Sequence, residues 1–224
     1  MDMTTDFIYV MDIIGVIAFA VAGAMIAIEN EMDLFGVIIL ALITCTGGGA
    51  VRDITVGRIP PMMFQNPIYI ILSIITAIVV FILVYWIRMH KDIMGPEKKK
   101  KVAVTYQKLL LVTDSLGLAA FTVDGVYTGR HLSAPNNTNY FLIIFLGVVT
   151  GVGGSVLRDV CAMQKPYIFV RHIYAVASLV GAVAAAFLPL VTSESNAQTV
   201  GFILVLLIRY LAAHFKLDLP RIPK

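Results

Sequence analysis

The stretch TCTGGGAVRD, from Thr44 to Asp53, sets three consecutive glycines and an Arg-Asp pair inside a run otherwise apolar enough to form a membrane helix. Further along, the chain repeats this phrase as TGVGGSVLRD, from Thr150 to Asp159. Glycine in a helix interior costs about 1 kcal/mol relative to alanine, and a charged side chain at the bilayer centre costs at least roughly 2.5 to 3.5 kcal/mol. Placing both costly features together twice indicates that the repeated element has a role.

Two interpretations fit such an element. Paired broken helices in corresponding halves of a membrane protein indicate a transport site, because non-helical backbone at this depth is tolerated only where protein buries it or where it lines a watery cavity. Close helix packing is the alternative, since small residues let transmembrane backbones approach one another. The two can coexist, because a kinked helix needs a packed neighbour.

The composition is that of an integral membrane protein. Of the 224 residues, 59% are hydrophobic and only 14% are charged, against roughly 45 to 50% and 25% in soluble domains, and the mean hydropathy is +0.88. The formal net charge of +3 comes mostly from one lysine cluster and the C-terminus, so it indicates membrane orientation rather than nucleic-acid binding. The N-terminal MDMTTDF has no basic segment, so a cleaved signal peptide is not expected.

Apolar runs of about 20 residues, enough to cross roughly 30 Å of hydrocarbon, predict seven helices in a single all-α membrane domain, 1–224. They are expected at 8–28, 34–56, 67–87, 109–127, 140–161, 172–191 and 198–215. The segment 88–108 changes composition completely and is expected to be a basic cytoplasmic linker. It separates a first repeat, 8–87, from a second, 109–191, which the seventh helix follows.

The repeat extends beyond the glycine phrase. The pattern Asp-x-x-Gly-x-x-Ala-Phe-x-Val-x-Gly begins at Asp12 and again at Asp114. Because each repeat holds three helices, the second must cross the membrane in the opposite sense to the first. The sequence therefore predicts an inverted repeat of three plus three helices, plus one, with the second and fifth helices kinked at their glycine motifs.

The lysines and arginines predict the orientation. If the N-terminus is outside, most basic residues fall in the inner loops and the C-terminus: Arg88, Lys91, Lys98, Lys99, Lys100, Lys101, Lys108, Lys165, Arg171, Arg209, Lys216, Arg221 and Lys224. The outer loops then hold only Arg58 and Arg130. We expect a multi-pass protein of the inner (plasma) membrane with its N-terminus outside and its C-terminus in the cytoplasm. The lysine run is interpreted first as a topology signal, with anionic-lipid binding as the alternative.

The glycine breaks are expected to line a path. A broken helix frees backbone carbonyls and amides, and carbonyls would offer neutral oxygen ligands to a weakly held monovalent cation. Hydroxyls would add to them: Thr44, Thr46, Thr150 and Ser155. No carboxylate cluster is dense enough for a divalent-cation cage, so neither a structural metal site nor a cofactor is expected. Arginines are unfavourable for a cation path unless paired, which keeps an anionic or zwitterionic substrate as an alternative.

The two charged pairs, Arg52 with Asp53 and Arg158 with Asp159, are expected toward the outer and the inner side of the membrane. Neighbouring residues on a helix point in different directions. Within each pair, one side chain is therefore expected to face the opposite repeat and the other a cavity or a headgroup. We hypothesise reciprocal ion pairing between the repeats at the two ends of an hourglass.

Three further aspartates are candidate pore or vestibule carboxylates. Asp12 and Asp114 lie near opposite membrane faces, where capping or interface solvation is the alternative interpretation. Asp124 lies about 15 Å deeper than Asp114 along the same helix, and its repeat counterpart is Ala22, so symmetry does not require it. Because an intramembrane carboxylate is a functional candidate by default, we expect Asp124 to face water or a partner on the conduction path.

These phrases in a three-plus-three-plus-one arrangement resemble the trimeric intracellular cation (TRIC) channel family. They are more similar to its prokaryotic members, also catalogued as a glycine-transporter domain family. The resemblance spans about 12–215 and implies a homotrimer with one pore per protomer, conducting monovalent cations, K+ mainly or Na+, along the kinked second and fifth helices. The motif residues carried over by position are Gly47, Gly48, Gly49, Arg52, Asp53, Gly151, Gly153, Gly154, Arg158 and Asp159.

Two features depart from the family pattern. Animal members have a Lys-Glu-Val stretch in the fourth helix, associated with lipid and gating, whereas this chain reads LAAFTVDGVY there. Lipid-dependent regulation is therefore not carried over. Ser155 stands where the first motif has Gly49, so the two kinks need not be equivalent.

The sequence thus favours a passive monovalent cation channel. A secondary transporter of a small zwitterion such as glycine is the first alternative, because inverted repeats with broken helices are equally typical of transporters. A non-transporting structural or enzymatic membrane protein is the second. The chain has no HExxH or GxSxG motif and no Ser-Lys or Cys-His pair at useful spacing, so we expect no enzyme activity. The expected partners are further copies of the chain and membrane lipids, with no nucleic acid.

Overall fold

The computed structural model describes residues 3–90, 96–132, 138–170 and 173–217. Within these ranges the chain is helical, with no β-strand. The helices are α1 (Met3–Glu29), α2 (Leu34–Thr55), α3 (Met62–Gln65), α4 (Ile68–Met89), α5 (Pro96–Leu132), α6 (Tyr140–Cys161), α7 (Tyr167–Val170), α8 (Ala175–Phe187) and α9 (Glu194–His214). The seven predicted helices correspond to α1, α2, α4, α5, α6, α8 and α9.

Six of the helices in these ranges are long and apolar enough to cross a membrane, namely α1, α2, α4, α5, α6 and α9. The seventh apolar segment, Ala175–Leu190, is shorter and combines α8 with a 3-10 turn, Leu188–Leu190. Pro189 lies in that turn, as expected of a residue without a backbone N–H. The predicted all-α, multi-span class is therefore confirmed.

Side-chain caps set the start of three of these helices. The Asp33 carboxylate accepts the backbone N–H of Gly36 at 2.8 Å at the start of α2, and Asn139 accepts that of Leu142 at 3.0 Å at the start of α6. Ser193 plays the same part for α9. These contacts satisfy N–H groups that have no partner within the helix.

The predicted linker, 88–108, differs from expectation in its second half. Helix α5 already begins at Pro96 and runs without interruption to Leu132, while 91–95 lie outside the described residues. Proline is compatible with the first turn of a helix, and the Glu, Lys, Ala and Gln residues that follow are good helix formers. The lysine run therefore belongs to an extension of the helix that carries Asp114 and Asp124.

Helices α2 and α6 cross in direct contact at their glycine motifs. A Cβ atom on Gly48 would collide with the carbonyl oxygen of Thr150, and one on Gly154 would collide with that of Thr44. A Cβ atom on Gly153 would lie 3.0 Å from the Cα atom of Gly48. The packing interpretation therefore accounts for these glycines.

The backbone interruption expected at these motifs is not found, since α2 and α6 remain α-helical throughout. The hydroxyls of Thr44 and Thr150 donate to the carbonyl oxygens four residues earlier, both at 2.6 Å. Thr46 and Ser155 likewise donate to their own helices. Carbonyls freed by a break are therefore absent from α2 and α6, although a bend of the helix axes remains a prediction.

A pair of aromatic rings shows the same reciprocity between α1 and α5. Phe19 of α1 packs on Gly117 of α5, and Phe121 of α5 packs on Gly15 of α1. The two rings meet edge to face with their centroids 5.3 Å apart. Because each repeat contributes the same ring and the same glycine, this contact is the arrangement that a two-fold related, inverted repeat requires.

Candidate functional site

Charged residues, most of them buried, form two clusters with one tyrosine in each. The clusters lie one in each half of the molecule and are named here by the predicted orientation. The outer cluster consists of Asp12, Arg52, Asp53, Tyr69 and Asp124. The inner cluster consists of Asp114, Arg158, Asp159, Tyr174 and Arg209. Buried charges are stable only when they are paired and hydrogen-bonded, so the partners of each arginine define what the clusters can do.

In the outer cluster, Arg52 binds two carboxylates. Its Nε atom donates to Oδ1 of Asp53 at 2.9 Å, and its Nη1 atom donates to Oδ2 of Asp124. Arg58 adds a weaker contact, with its Nη1 atom 3.9 Å from Oδ1 of Asp53. Arg52 therefore lies between a carboxylate of its own repeat and one of the other repeat.

In the inner cluster, Arg158 makes the equivalent bond to its neighbour, with Nε donating to Oδ1 of Asp159 at 2.8 Å. Its Nη1 atom donates to Oδ1 of Asp114, also at 2.8 Å. Asp114 belongs to the same repeat as Arg158. The hypothesis of reciprocal pairing between repeats is therefore wrong on the inner side. Among the described residues, a motif arginine pairs with an aspartate of the other repeat only between Arg52 and Asp124.

The expectation that one side chain of each pair faces the opposite repeat and the other a cavity agrees with the outer side, where Arg52 bonds Asp124 and Asp53 lines a small cavity. It is wrong on the inner side, where Arg158 bonds an aspartate of its own repeat. In neither pair do the two side chains separate. Both members are buried and bonded to each other, because the long arginine side chain reaches back to the adjacent carboxylate. The second oxygen of each aspartate then accepts the first backbone N–H of a short helix, from Met62 of α3 at 2.8 Å and from Tyr167 of α7 at 2.7 Å. Each pair thus links a membrane helix to the short helix that follows it.

Two tyrosines join the clusters at equivalent positions, and the sequence reasoning missed both. The Tyr69 hydroxyl donates to Oδ2 of Asp12 at 3.3 Å. Tyr174 is almost completely buried in the inner cluster. Each tyrosine follows an isoleucine shortly after the proline that ends its motif, Pro60 or Pro166, and extending the repeat alignment past these prolines reveals the pair.

The sequence analysis counted Arg209 among the basic residues of the inner loops and the C-terminus, whereas it lies within α9 with its side chain only 1% exposed. Its Nε atom donates to the Ser115 hydroxyl at 3.3 Å, and Nη2 lies 3.9 Å from Oδ2 of Asp114. The sequence feature that indicates a role for Arg209 is its place inside an apolar helix, since an intramembrane arginine is itself a candidate functional residue. The lack of a repeat counterpart concealed it.

A small cavity of about 60 Å³ adjoins the outer cluster. Its walls include three carboxylates, Asp12, Asp53 and Asp124, together with Tyr69 and Arg52. The predicted site residues Thr46, Gly49 and Thr150 also line it. A volume of this size accommodates a few water molecules, so charged groups of both repeats face one small polar space.

The remaining glycines of the motifs serve helix contacts. A Cβ atom on Gly47 would lie 2.7 Å from Cδ1 of Leu157, and one on Gly151 would collide with the Thr122 hydroxyl. Ser155 is fully buried and hydrogen-bonded to its own helix. The structure thus brings the charged motif residues into two clusters and places most glycines between them, at the crossing of the helices.

Comparison with known proteins places this arrangement in a family. A family model described as glycine transporter matches residues 9–85 and 111–189, one match in each repeat. The UPF0126 inner membrane protein YadS of Escherichia coli (strain K12) is 31% identical over 215 residues, covering 95% of each chain. A UPF0126 membrane protein of Deinococcus radiodurans is 30% identical over 218 residues, covering 96% of this chain and 92% of the relative.

Solved structures agree with these matches. One solved structure, of a TRIC cation channel whose conductance it explains, is 30% identical in sequence to this chain with a TM-score of 0.78. The match covers 96% of this chain and 97% of that one. The TRIC trimeric intracellular cation channel orthologue from Rhodobacter sphaeroides is 28% identical with a TM-score of 0.79, covering 94% and 98%. The chain described here therefore belongs to the TRIC channel family, as its repeated glycine-arginine-aspartate motifs predicted.

Proposed function

We propose that this protein is a passive monovalent cation channel of the inner membrane, with K+ as its main permeant ion. The observation that carries the proposal is the surplus of carboxylates around the outer cavity. If all groups are ionised, three aspartates face the single arginine that lines it. A cleft lined by one sign of charge raises the local concentration of the opposite ion, so the cavity favours cations.

The pairing of the arginines removes the main objection to a cation path. Arg52 is bonded to Asp53 and Asp124, and Arg158 to Asp159 and Asp114. A guanidinium held between two carboxylates presents little net positive charge to a passing ion. The same pairing disfavours a glycine carrier, because an arginine that would bind the substrate carboxylate is already occupied.

The proposed path runs from the outer cavity past Thr46 and Gly49, along the crossing of α2 and α6, to the inner cluster. Each protomer contains both clusters, so each would have its own pore. The similarity to solved TRIC cation channels, one of them a prokaryotic channel in 0.5 M KCl, supports a cation as the permeant ion.

We propose further that the protein assembles as a homotrimer in the lipid bilayer, with its N-terminus outside and its C-terminus in the cytoplasm. The similar channel from Rhodobacter sphaeroides is a trimeric channel orthologue, and the similar Escherichia coli protein is an inner membrane protein. The orientation rests on the distribution of lysines and arginines.

The test is planar-bilayer recording of the purified protein in asymmetric KCl. We expect discrete openings that reverse near the K+ equilibrium potential and a smaller unitary current in Asp12→Asn, which removes one carboxylate charge from the cavity. Glu31→Gln is the matched control, because Glu31 is an exposed carboxylate outside both clusters. Silent bilayers combined with saturable uptake of radiolabelled glycine into proteoliposomes would contradict the channel and favour a carrier.

A further inference from the structure

The inner cluster surrounds the guanidinium of Arg209 with groups typical of a cation site. The guanidinium carbon lies 4.6 Å from the ring centre of Tyr174 and 5.7 Å from that of Tyr167. A hydroxyl, from Ser115, and a carboxylate, from Asp114, complete the surroundings. Aromatic faces with a nearby carboxylate attract cations, and here the cation is a side chain of the protein itself.

Arg209 is held less tightly than the other buried arginines. Arg158 makes two ion-pair bonds of 2.8 Å, whereas the ion-pair distance from Arg209 to Asp114 is 3.9 Å. Within the described part of the chain, neither Nη1 nor Nη2 of Arg209 has a hydrogen-bond partner. Buried arginines normally use their donors. The guanidinium of Arg209 is therefore held by weaker contacts than that of Arg158.

The inverted repeat supplies an internal comparison. Asp12 and Tyr69 of the outer cluster are the repeat counterparts of Asp114 and Tyr174. The outer carboxylate and tyrosine face the cavity of about 60 Å³, whereas the inner pair faces the Arg209 side chain. Arg209 comes from α9, which lies outside the repeat. It therefore occupies at the inner end the position that stays open at the outer end.

The net formal charges of the inner and outer clusters also differ. Among the described residues of the inner cluster, two arginines face two aspartates, so the formal charges cancel. In the outer cluster, three aspartates face Arg52, with Arg58 at the edge. Removing the charge of Arg209 would leave the inner cluster with a negative excess, as in the outer one.

We propose that Arg209 is a tethered cation that closes the inner end of the path, and that the inner cluster without it binds a small monovalent cation of the guanidinium type. The gating role of Arg209 rests on the channel function proposed above, whereas cation binding at the inner cluster can be tested without measuring a current. The side chain would leave its site when the inner end opens and return when it closes.

The first test measures binding in detergent. Arg209→Ala is titrated with guanidinium chloride up to about 10 mM, far below the molar range in which it denatures proteins, against NaCl at equal ionic strength. We expect the melting temperature of Arg209→Ala to rise with guanidinium, because a ligand that binds only the folded state stabilises it. Wild type and Arg209→Lys, which keep their own cation, should show no such rise.

The second test measures current. We expect an increase in open probability of about fivefold or more in Arg209→Gln, the range typical of one coupled contact in a two-state equilibrium. Guanidinium added on the cytoplasmic side should reverse it. Arg88→Gln is the matched control, since Arg88 lies at the end of α4 outside both clusters and its loss removes the same charge.

Failure of the Arg209 proposal and failure of the channel function would give different results. Equal currents in Arg209→Gln and Arg88→Gln, or no melting shift in Arg209→Ala, would overturn the proposal. Silent bilayers for every variant together with a guanidinium-specific shift would refute the channel function and leave the cation site standing. If Arg209→Ala does not purify, Arg209→Gln replaces it in the binding test, since it keeps most of the side-chain volume and loses the charge.

Discussion

The guanidinium of Arg52, in the first repeat, hydrogen-bonds the carboxylate of Asp124, in the second, and thereby joins α2 to α5 inside the membrane. The counterpart of Asp124 in the first repeat is Ala22, so this bond has no symmetric equivalent. It is the only described bond by which an arginine of either motif reaches an aspartate of the other repeat, and it makes the outer end of the molecule chemically different from the inner end.

We expect Asp124→Asn to destabilise the protein by about 3 to 5 kcal/mol, the cost of removing one partner from a buried ion pair. The double variant Arg52→Gln/Asp124→Asn should be more stable than the sum of the single losses, because it leaves no uncompensated charge from this pair. Melting temperatures in detergent provide the measurement, with Glu31→Gln as the control. Strict additivity would argue against a direct bond.

Gly48→Ala and Gly154→Ala are expected to prevent folding or to cost at least about 1 to 3 kcal/mol, since each new methyl would meet a backbone carbonyl of the facing helix. Gly49→Ala is the matched control in the same motif. A Cβ there would approach only Nη2 of Arg52, at 3.8 Å. Expression yield and melting temperature measure the difference, and equal behaviour of the three variants would count against the packing role.

Tyr69→Phe removes the hydrogen bond to Asp12 and should cost about 0.5 to 1.5 kcal/mol of stability. The Asp12 carboxylate then has one donor fewer and attracts a cation more strongly. We therefore expect half-maximal conductance at a lower K+ concentration, measured from unitary currents over a concentration series. Tyr85→Phe, at an exposed position of α4, should match wild type, and a Tyr69→Phe curve that overlays it would refute the role of this tyrosine.

The orientation can be tested with the native thiol of Cys161, which is exposed at the end of α6. In a Cys45→Ala background, a membrane-impermeant maleimide should leave Cys161 unlabelled in intact cells and label it in inside-out vesicles. Gln65→Cys in a background lacking both native thiols should behave in the opposite way, because α3 is predicted to lie outside. Labelling of Cys161 from outside the cell would reverse the topology.

Local pattern was sufficient for much of the fold. Apolar runs located the membrane helices, and α6 begins and ends at the predicted residues, Tyr140 and Cys161. The start of α5 could not be predicted in the same way, because a lysine run is equally compatible with a solvated linker and with the exposed end of a helix. The inverted repeat could be recognised in the sequence because the contacts between the repeats require the same residue types at equivalent positions, such as Phe19 and Gly117.

The sequence by itself determined the membrane class, the repeat, and the family of this protein, because hydropathy, helix number and motif spacing are properties of the chain taken in order. Only the tertiary structure decided which carboxylate each arginine binds and where Tyr69, Tyr174 and Arg209 lie. Those contacts join residues far apart in the chain, and a helix of apolar residues carries little information about which face meets protein and which meets lipid. The site is therefore a property of how the seven membrane segments pack.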